Sequence, residues 1–185
     1  MLNCAESEVM ALKIRNMVLC ALFASLMAVC AWIAVPIGGG AVYTLQTFAV
    51  FLALLSLGGM RGTVAIFVYL CLGAVGLPVF SGFRGGFGSF FDLTGGYLWG
   101  FLIIGLVYWL LTGLFGAKMQ IPAAILGMLF CYLCGLLWYC VSQAGGFWVS
   151  SLGPAFLVSV LPYLLPDAVK IALAFLLSHR LKRFV

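Results

Sequence analysis

Charge is what this sequence has least of. Its 185 residues include nine Lys and Arg, four Asp and Glu and one His, so charged side chains make up 7% of the chain, against about 25% in a soluble globular domain. With 66% hydrophobic residues and a mean hydropathy of +1.28, a water-soluble fold is excluded and a polytopic membrane protein remains. Two of the four carboxylates, Glu6 and Glu8, stand near the N-terminus, which leaves no carboxylate cluster for a metal-dependent or diphosphate-processing intramembrane enzyme. The phosphate-binding pattern Gly-x-x-x-x-Gly-Lys-Ser/Thr is missing too. ATP hydrolysis is therefore not expected in this chain, and uphill transport would draw on ion coupling or on separate subunits. The net charge of +5 does not point to nucleic acid, because the basic residues gather at helix ends, where membrane topology accounts for them. The seven cysteines lie mostly in apolar spans without His or acidic companions, so the Cys131/Cys134 pair reads as packing rather than as a redox or metal site.

What is abundant is apolar helix. At about 20 residues per span, the length accommodates six helices, giving an all-α single transmembrane domain with spans expected at about 14–34, 42–57, 62–76, 94–116, 121–141 and 155–178. Residues 1–13 are polar enough to stay in water. On the first span Ala24, Ala28 and Ala31 recur at i, i+4, i+7, a small-residue face that allows close approach either of another helix of this chain or of a partner. Pro36 and Gly38-Gly39-Gly40 read as a short connection, and Thr44, Gln46 and Thr47 stand at the entry to the second span, either capping it or facing a ligand. Pro162 and Pro166 interrupt the last span; prolines there free backbone carbonyls, which is tolerated where the segment is buried in protein or lines a cavity. With a cytoplasmic N-terminus, Lys13, Arg15, Arg61, Lys118, Arg180, Lys182 and Arg183 all fall inside and Arg84 outside, the bias of a multi-pass cell-membrane protein with both termini cytoplasmic. The loops around Arg84 and around 144–154, with Phe147 and Trp148, then face outward on the same side as Gln46.

Two places offer chemistry. The stretch from Leu77 to Gly100 holds seven glycines, five phenylalanines, Arg84 and Asp92. Glycine permits close backbone approach, aromatics give flat apolar walls, and the guanidinium offers five fixed donors to an anion. It reads either as part of a polar ligand site or as an outer loop resting in the lipid interface. Asp167 and Lys170, three apart on the last span, share a helix face. Each would cost on the order of 2.5–3.5 kcal/mol alone at the centre of a span, so they are expected to pair or to meet a polar ligand. Pro166 as the first residue of a helical segment would place Asp167 at its N-terminus, where the dipole favours an anion. His179 beside Arg180 reads as a solvated helix end.

The run GLPVFSGFRGGFGSFFDLTGGYLWGF, the LPDAVKIALA segment with its Asp-x-x-Lys spacing and the TLQTF entry together resemble the BioY family, the biotin-binding S components of energy-coupling-factor (ECF) vitamin transporters. The resemblance covers nearly the whole chain and departs at Asp92-Leu93, where the family commonly has Gly-Pro. It implies a six-helix S-component bundle that captures biotin from outside and works with a transmembrane T component and two ATPase subunits. It implies no cofactor and no catalysis. Biotin has a ureido ring, an apolar thioether bicycle and a carboxylate. For these the resemblance suggests Asp167 and Lys170 on the ureido group, Arg84 on the carboxylate, Gln46 as a further hydrogen-bond partner, and Phe83, Gly85, Gly86, Phe87 and Tyr97 as walls and loop contacts. Ala24, Ala28 and Ala31 are then expected to dock the T component. Alternatives are an S component for another vitamin, a membrane enzyme using Asp167, Lys170 and His179, or a structural helix-packing protein. Working alone or as a homo-oligomer is left open.

Overall fold

The computed structural model describes residues 4–38, 41–144 and 152–183; Gly39 and Gly40 of the first connection, and Phe147 and Trp148 of the expected last loop, lie outside them. Among the described residues the chain is mostly helical: α1 (Cys4–Trp32), a β-hairpin of β1 (Ala34–Gly38) and β2 (Ala41–Thr44), α2 (Gln46–Leu57), α3 (Gly59–Ala74), α4 (Gly95–Phe115), α5 (Gln120–Ala144), α6 (Leu152–Ser159) and α7 (Leu161–Leu181). Four helices among the described residues are long and apolar enough to cross a membrane, one each in α1, α4, α5 and α7, while α2 and α3 are shorter apolar helices.

Several bounds differ from the sequence expectation for physical reasons. Helix α1 starts at Cys4 rather than near 14, because Ala5, Glu6, Glu8, Met10, Ala11 and Leu12 are good helix formers; hydropathy marks where a span begins, not where a helix does. In place of a bare connection, β1 and β2 pair antiparallel with an irregularity between Pro36 and Gly38, which delays α2 to Gln46. Val35, Val42, Tyr43 and Thr44 are strand formers. The last span is broken at Val160 (φ −120°, ψ −52°), with Pro162 in the first turn of α7 and Pro166 inside it.

Helix α2 is the centre of the bundle. Its 12 residues would extend only about 18 Å, yet every one but Phe48 is buried, with α1, α3, α4 and α7 around it. Two close approaches hold the layers: a side chain at Gly62 would run into the Leu54 backbone, joining α3 to α2, and one at Gly100 would meet Cys131, joining α4 to α5. Both are the small-residue packing that substitutes for a hydrophobic driving force in lipid. Many apolar side chains on the outer faces, among them Leu22, Leu110, Leu129 and Leu176, are exposed, as lipid-facing positions should be.

The alanine face of α1 is used internally. Ala24, Ala28 and Ala31 are 1%, 7% and 0% exposed, so α1 meets α2 and α3 there and no partner can reach them. The docking expectation for these three residues is corrected: the exposed side of α1 at this level carries Ala21, Leu22, Ser25 and Val29.

Candidate functional site

A cavity of about 230 Å³ opens at the end of the bundle where the hairpin, the start of α2 and the glycine-rich loop meet. Val42 and Thr44 of β2, Gln46 and Thr47 of α2, Phe80, Ser81, Arg84 and Ser89 of the loop, Tyr97, Leu98 and Phe101 of α4, Met128 and Cys131 of α5, and Tyr163, Asp167 and Lys170 of α7 line it. Residues far apart in sequence thus converge on one space that is apolar along its walls and polar at a few points, the composition of a small-ligand site.

Asp167 is its most costly group. The residue is 3% exposed, one carboxylate oxygen lies 2.8 Å from Lys170 Nζ, and the other accepts the Tyr132 hydroxyl at 2.8 Å. Asp167 stands in the second turn of a helix that starts at Leu161, beyond the reach of the terminal dipole, so the expected N-terminal stabilisation is replaced by these two donors. Tyr132, on α5, is the residue that sequence reading missed; one aromatic among many in an apolar span gives no signal of its partner. Each Asp167 oxygen has one protein donor and keeps a further lone-pair site for a ligand N–H. Lys170 likewise retains donors beyond the one spent on Asp167.

The break between α6 and α7 is satisfied by tyrosines. Pro166 has no N–H to give the Pro162 carbonyl four residues back, and the Tyr43 hydroxyl donates to that carbonyl at 2.7 Å. The Tyr97 hydroxyl donates to the Ser159 carbonyl, and the Tyr163 hydroxyl accepts the Val42 N–H at 2.9 Å. Tyr43 and Tyr163 also stack edge-on at 5.2 Å. Hairpin, α4, α6 and α7 are therefore tied together around the cavity mouth.

In the loop, two short 3-10 turns (Ser81–Phe83 and Phe87–Phe90) decide which aromatics face inward. Phe80 is buried, its ring over Gly73 where any side chain would collide with it, and edge-on to Tyr69 and Phe90. Phe83, at φ 58°, turns outward to stack on Trp32 at 5.2 Å, and Phe87 packs on Phe90 and Phe91. Phe83 and Phe87 are 63% and 62% exposed, and neither they nor Gly85 and Gly86 line the cavity. The wall expectation is corrected: Phe80, Leu98 and Phe101 take that place beside Tyr97. Gly85 instead presses on the Leu77 carbonyl, and the Gly86 N–H donates to the Gly73 carbonyl at 2.7 Å, pinning the loop to the end of α3.

Arg84 lies on the rim, with Nε donating to the Ser81 carbonyl at 3.1 Å and Nη1 3.3 Å from an Asp92 oxygen. Both side chains are about half exposed, so the pair adds at most about 1 kcal/mol of stability and leaves guanidinium donors free to meet an anion. His179 packs edge-on to Phe175, about 18 Å along α7 from Asp167 by helix rise, which removes the His179 enzyme reading. A second cavity of about 520 Å³ between α5 and α7 is larger but nearly all apolar, with only Tyr132 and Asp167 as polar lining side chains, so little in it would orient a polar ligand.

A family model described as the BioY family matches residues 5–185. The chain is 39% identical over 171 residues to the "Probable biotin transporter BioY" of Pyrococcus horikoshii, spanning 92% of this chain and 98% of that one. It is 34% identical to the "Biotin transporter BioY" of Thermotoga maritima over 91% of this chain and 96% of the other, and 37% identical to the "Biotin transporter BioY2" of Lactococcus lactis over 93% and 97%. In fold it is similar to a crystal structure described as the S-component for biotin from an ECF-type ABC transporter, with a TM-score of 0.78 at 23% identity over 99% of this chain and 95% of that one.

Proposed function

The chain belongs to the BioY family, and from that premise we propose that it is the biotin-capturing S component of an ECF vitamin transporter, a transport subunit and not an enzyme. The observation that carries the reading is the buried Asp167–Lys170 pair in the wall of a cavity that combines apolar walls with a few polar side chains. A carboxylate beside an ammonium presents acceptor and donor side by side, which suits the N–H and carbonyl groups of a ureido ring. Asp167 accepts a ureido N–H, Lys170 donates to the ureido oxygen, and Gln46 supplies a further hydrogen bond. Phe80, Leu98, Phe101 and Tyr97 enclose the bicycle, and Arg84 on the rim meets the carboxylate.

The bundle crosses the cell membrane six times in this reading: α1, α4 and α5 by their own length, α2 enclosed by its neighbours and α3 packed by one face against α1, α2 and α4, and α6 with α7 as one broken span. The orientation is supported by contacts at the end away from the cavity, where Arg61 donates to Asn16 and Lys182 to Gln120, close in sequence to Lys13, Arg15 and Lys118. That basic end is cytoplasmic and the cavity faces outward. Energy comes from a T component and two ATPase subunits in other chains.

The test is a titration of labelled biotin against the purified chain in detergent, without partners, with desthiobiotin, thiamin and riboflavin as competitors. Saturable binding displaced by desthiobiotin but not by the other two is expected. Absence of saturable biotin binding overturns the function.

A further inference from the structure

Beneath the cavity a buried relay fixes which end of the Gln46 amide faces the ligand. Gln46 is 4% exposed and lines the cavity, and its Nε2 donates to the Tyr69 hydroxyl at 2.6 Å. That hydroxyl lies 3.1 Å from the Val79 carbonyl oxygen. A carbonyl only accepts, so the one hydroxyl proton goes to Val79 and the hydroxyl must accept from Gln46, which fixes the amide with its NH₂ turned away from the cavity. Tyr69 itself is fully buried on α3, held edge-on against Phe80, and Val79 sits in a strapped segment, since the Val79 N–H donates to Leu77 and the Phe80 N–H to Arg84. No freedom is left for the relay to reverse.

We propose that Tyr69, which does not line the cavity, is a specificity-determining positioning residue: through Val79 it holds Gln46 as an obligate acceptor, so that Gln46 Oε1 and the Asp167 carboxylate form two acceptors for the two N–H groups of the ureido ring, with Lys170 the donor for its oxygen. The inference rests on biotin being the ligand and adds to it an acceptor–donor–acceptor code. The two acceptors differ in one respect. An amide released from its relay can turn and offer NH₂, whereas a carboxylate cannot become a donor without gaining a proton.

That difference sets the experiment. Binding of biotin and of its two cyclic carbamate analogues, each with one ureido N–H replaced by a ring oxygen, is measured for the detergent-purified chain and for Tyr69→Phe. Both analogues should bind the unaltered chain more weakly than biotin, because a buried acceptor then faces an oxygen. In Tyr69→Phe the discrimination against one analogue should shrink by about tenfold, the order expected for one hydrogen bond, while discrimination against the other is unchanged. Unchanged ratios for both analogues, or equal loosening for both, overturn the proposal. If Tyr69→Phe does not fold, Gln46→Met, which removes donor and acceptor alike, should erase discrimination against the same single analogue, and full retention there overturns it as well. Failure of the unaltered chain to bind biotin would instead sink the transport function, and the code with it.

Discussion

At the scale of single residues, the site depends on how two charges are kept inside a membrane. Asp167 is tolerated because Lys170 and Tyr132 each satisfy one oxygen, so Asp167→Asn puts an amide where donors already point and also removes an acceptor from the ligand. Biotin binding should weaken by about 1–3 kcal/mol, read as a rise in Kd of about 5- to 150-fold by equilibrium titration. Arg84 is the opposite case, half exposed, ion-paired with Asp92 and donating to the Ser81 carbonyl. Arg84→Ala should leave thermal stability within about 0.5 kcal/mol while weakening biotin more than biotinamide; equal losses for the two ligands would exclude the carboxylate role. The Asp167–Lys170 pair was legible in the sequence because charge inside a span is rare and i,i+3 spacing fixes a shared face. Tyr132 was not, since its partner lies on another helix. Nor was the division of the loop phenylalanines: a glycine-rich segment has no period from which to tell Phe80, turned inward, from Phe83 and Phe87, turned outward.

At the scale of elements, two prolines and a hairpin work as one device. Pro166 orphans the Pro162 carbonyl, and Tyr43, from β2, satisfies it, so the element that sequence reading treated as a bare connection repairs the helix at the other end of the chain. The hairpin escaped notice because a tract of five residues and one of four flanked by membrane helices is too short to show alternation, and because Pro36 and the glycines read as a turn. A thermodynamic cycle tests the repair. Tyr43→Phe should cost about 1 kcal/mol of stability in detergent, but much less in a Pro166→Ala background, where the new N–H can donate to Pro162 and make the hydroxyl redundant. Additive effects of the two substitutions in thermal unfolding would show that the carbonyl does not depend on Tyr43.

At the scale of the whole molecule, the helical character of the chain was readable from hydropathy, but the number of helices was not. Against six expected spans the described residues form seven α-helices, four of them long and apolar enough to cross a membrane, and which helix is central gave no signal either. Past Gln46 and Thr47, a 12-residue helix made mostly of Ala, Leu, Val and Phe looks like any lipid-facing span, and only the fold shows α2 enclosed by its neighbours. The same enclosure turns the alanine face of α1 from a docking surface into core. Ala31→Leu should therefore overpack the bundle, costing about 1–3 kcal/mol, and lower the unfolding temperature of the isolated chain without any partner present; a variant as stable as the original would mean that this face is free after all. The proposed orientation rests on the cavity and the basic turns lying at opposite ends of the bundle. In a cysteine-free background, Ser81→Cys at the cavity rim should react with a membrane-impermeant maleimide on intact cells, and Lys118→Cys, between α4 and α5, only after permeabilisation. The reverse pattern would place the ligand cavity on the cytoplasmic face, and capture of an external vitamin would then be impossible in the resting orientation.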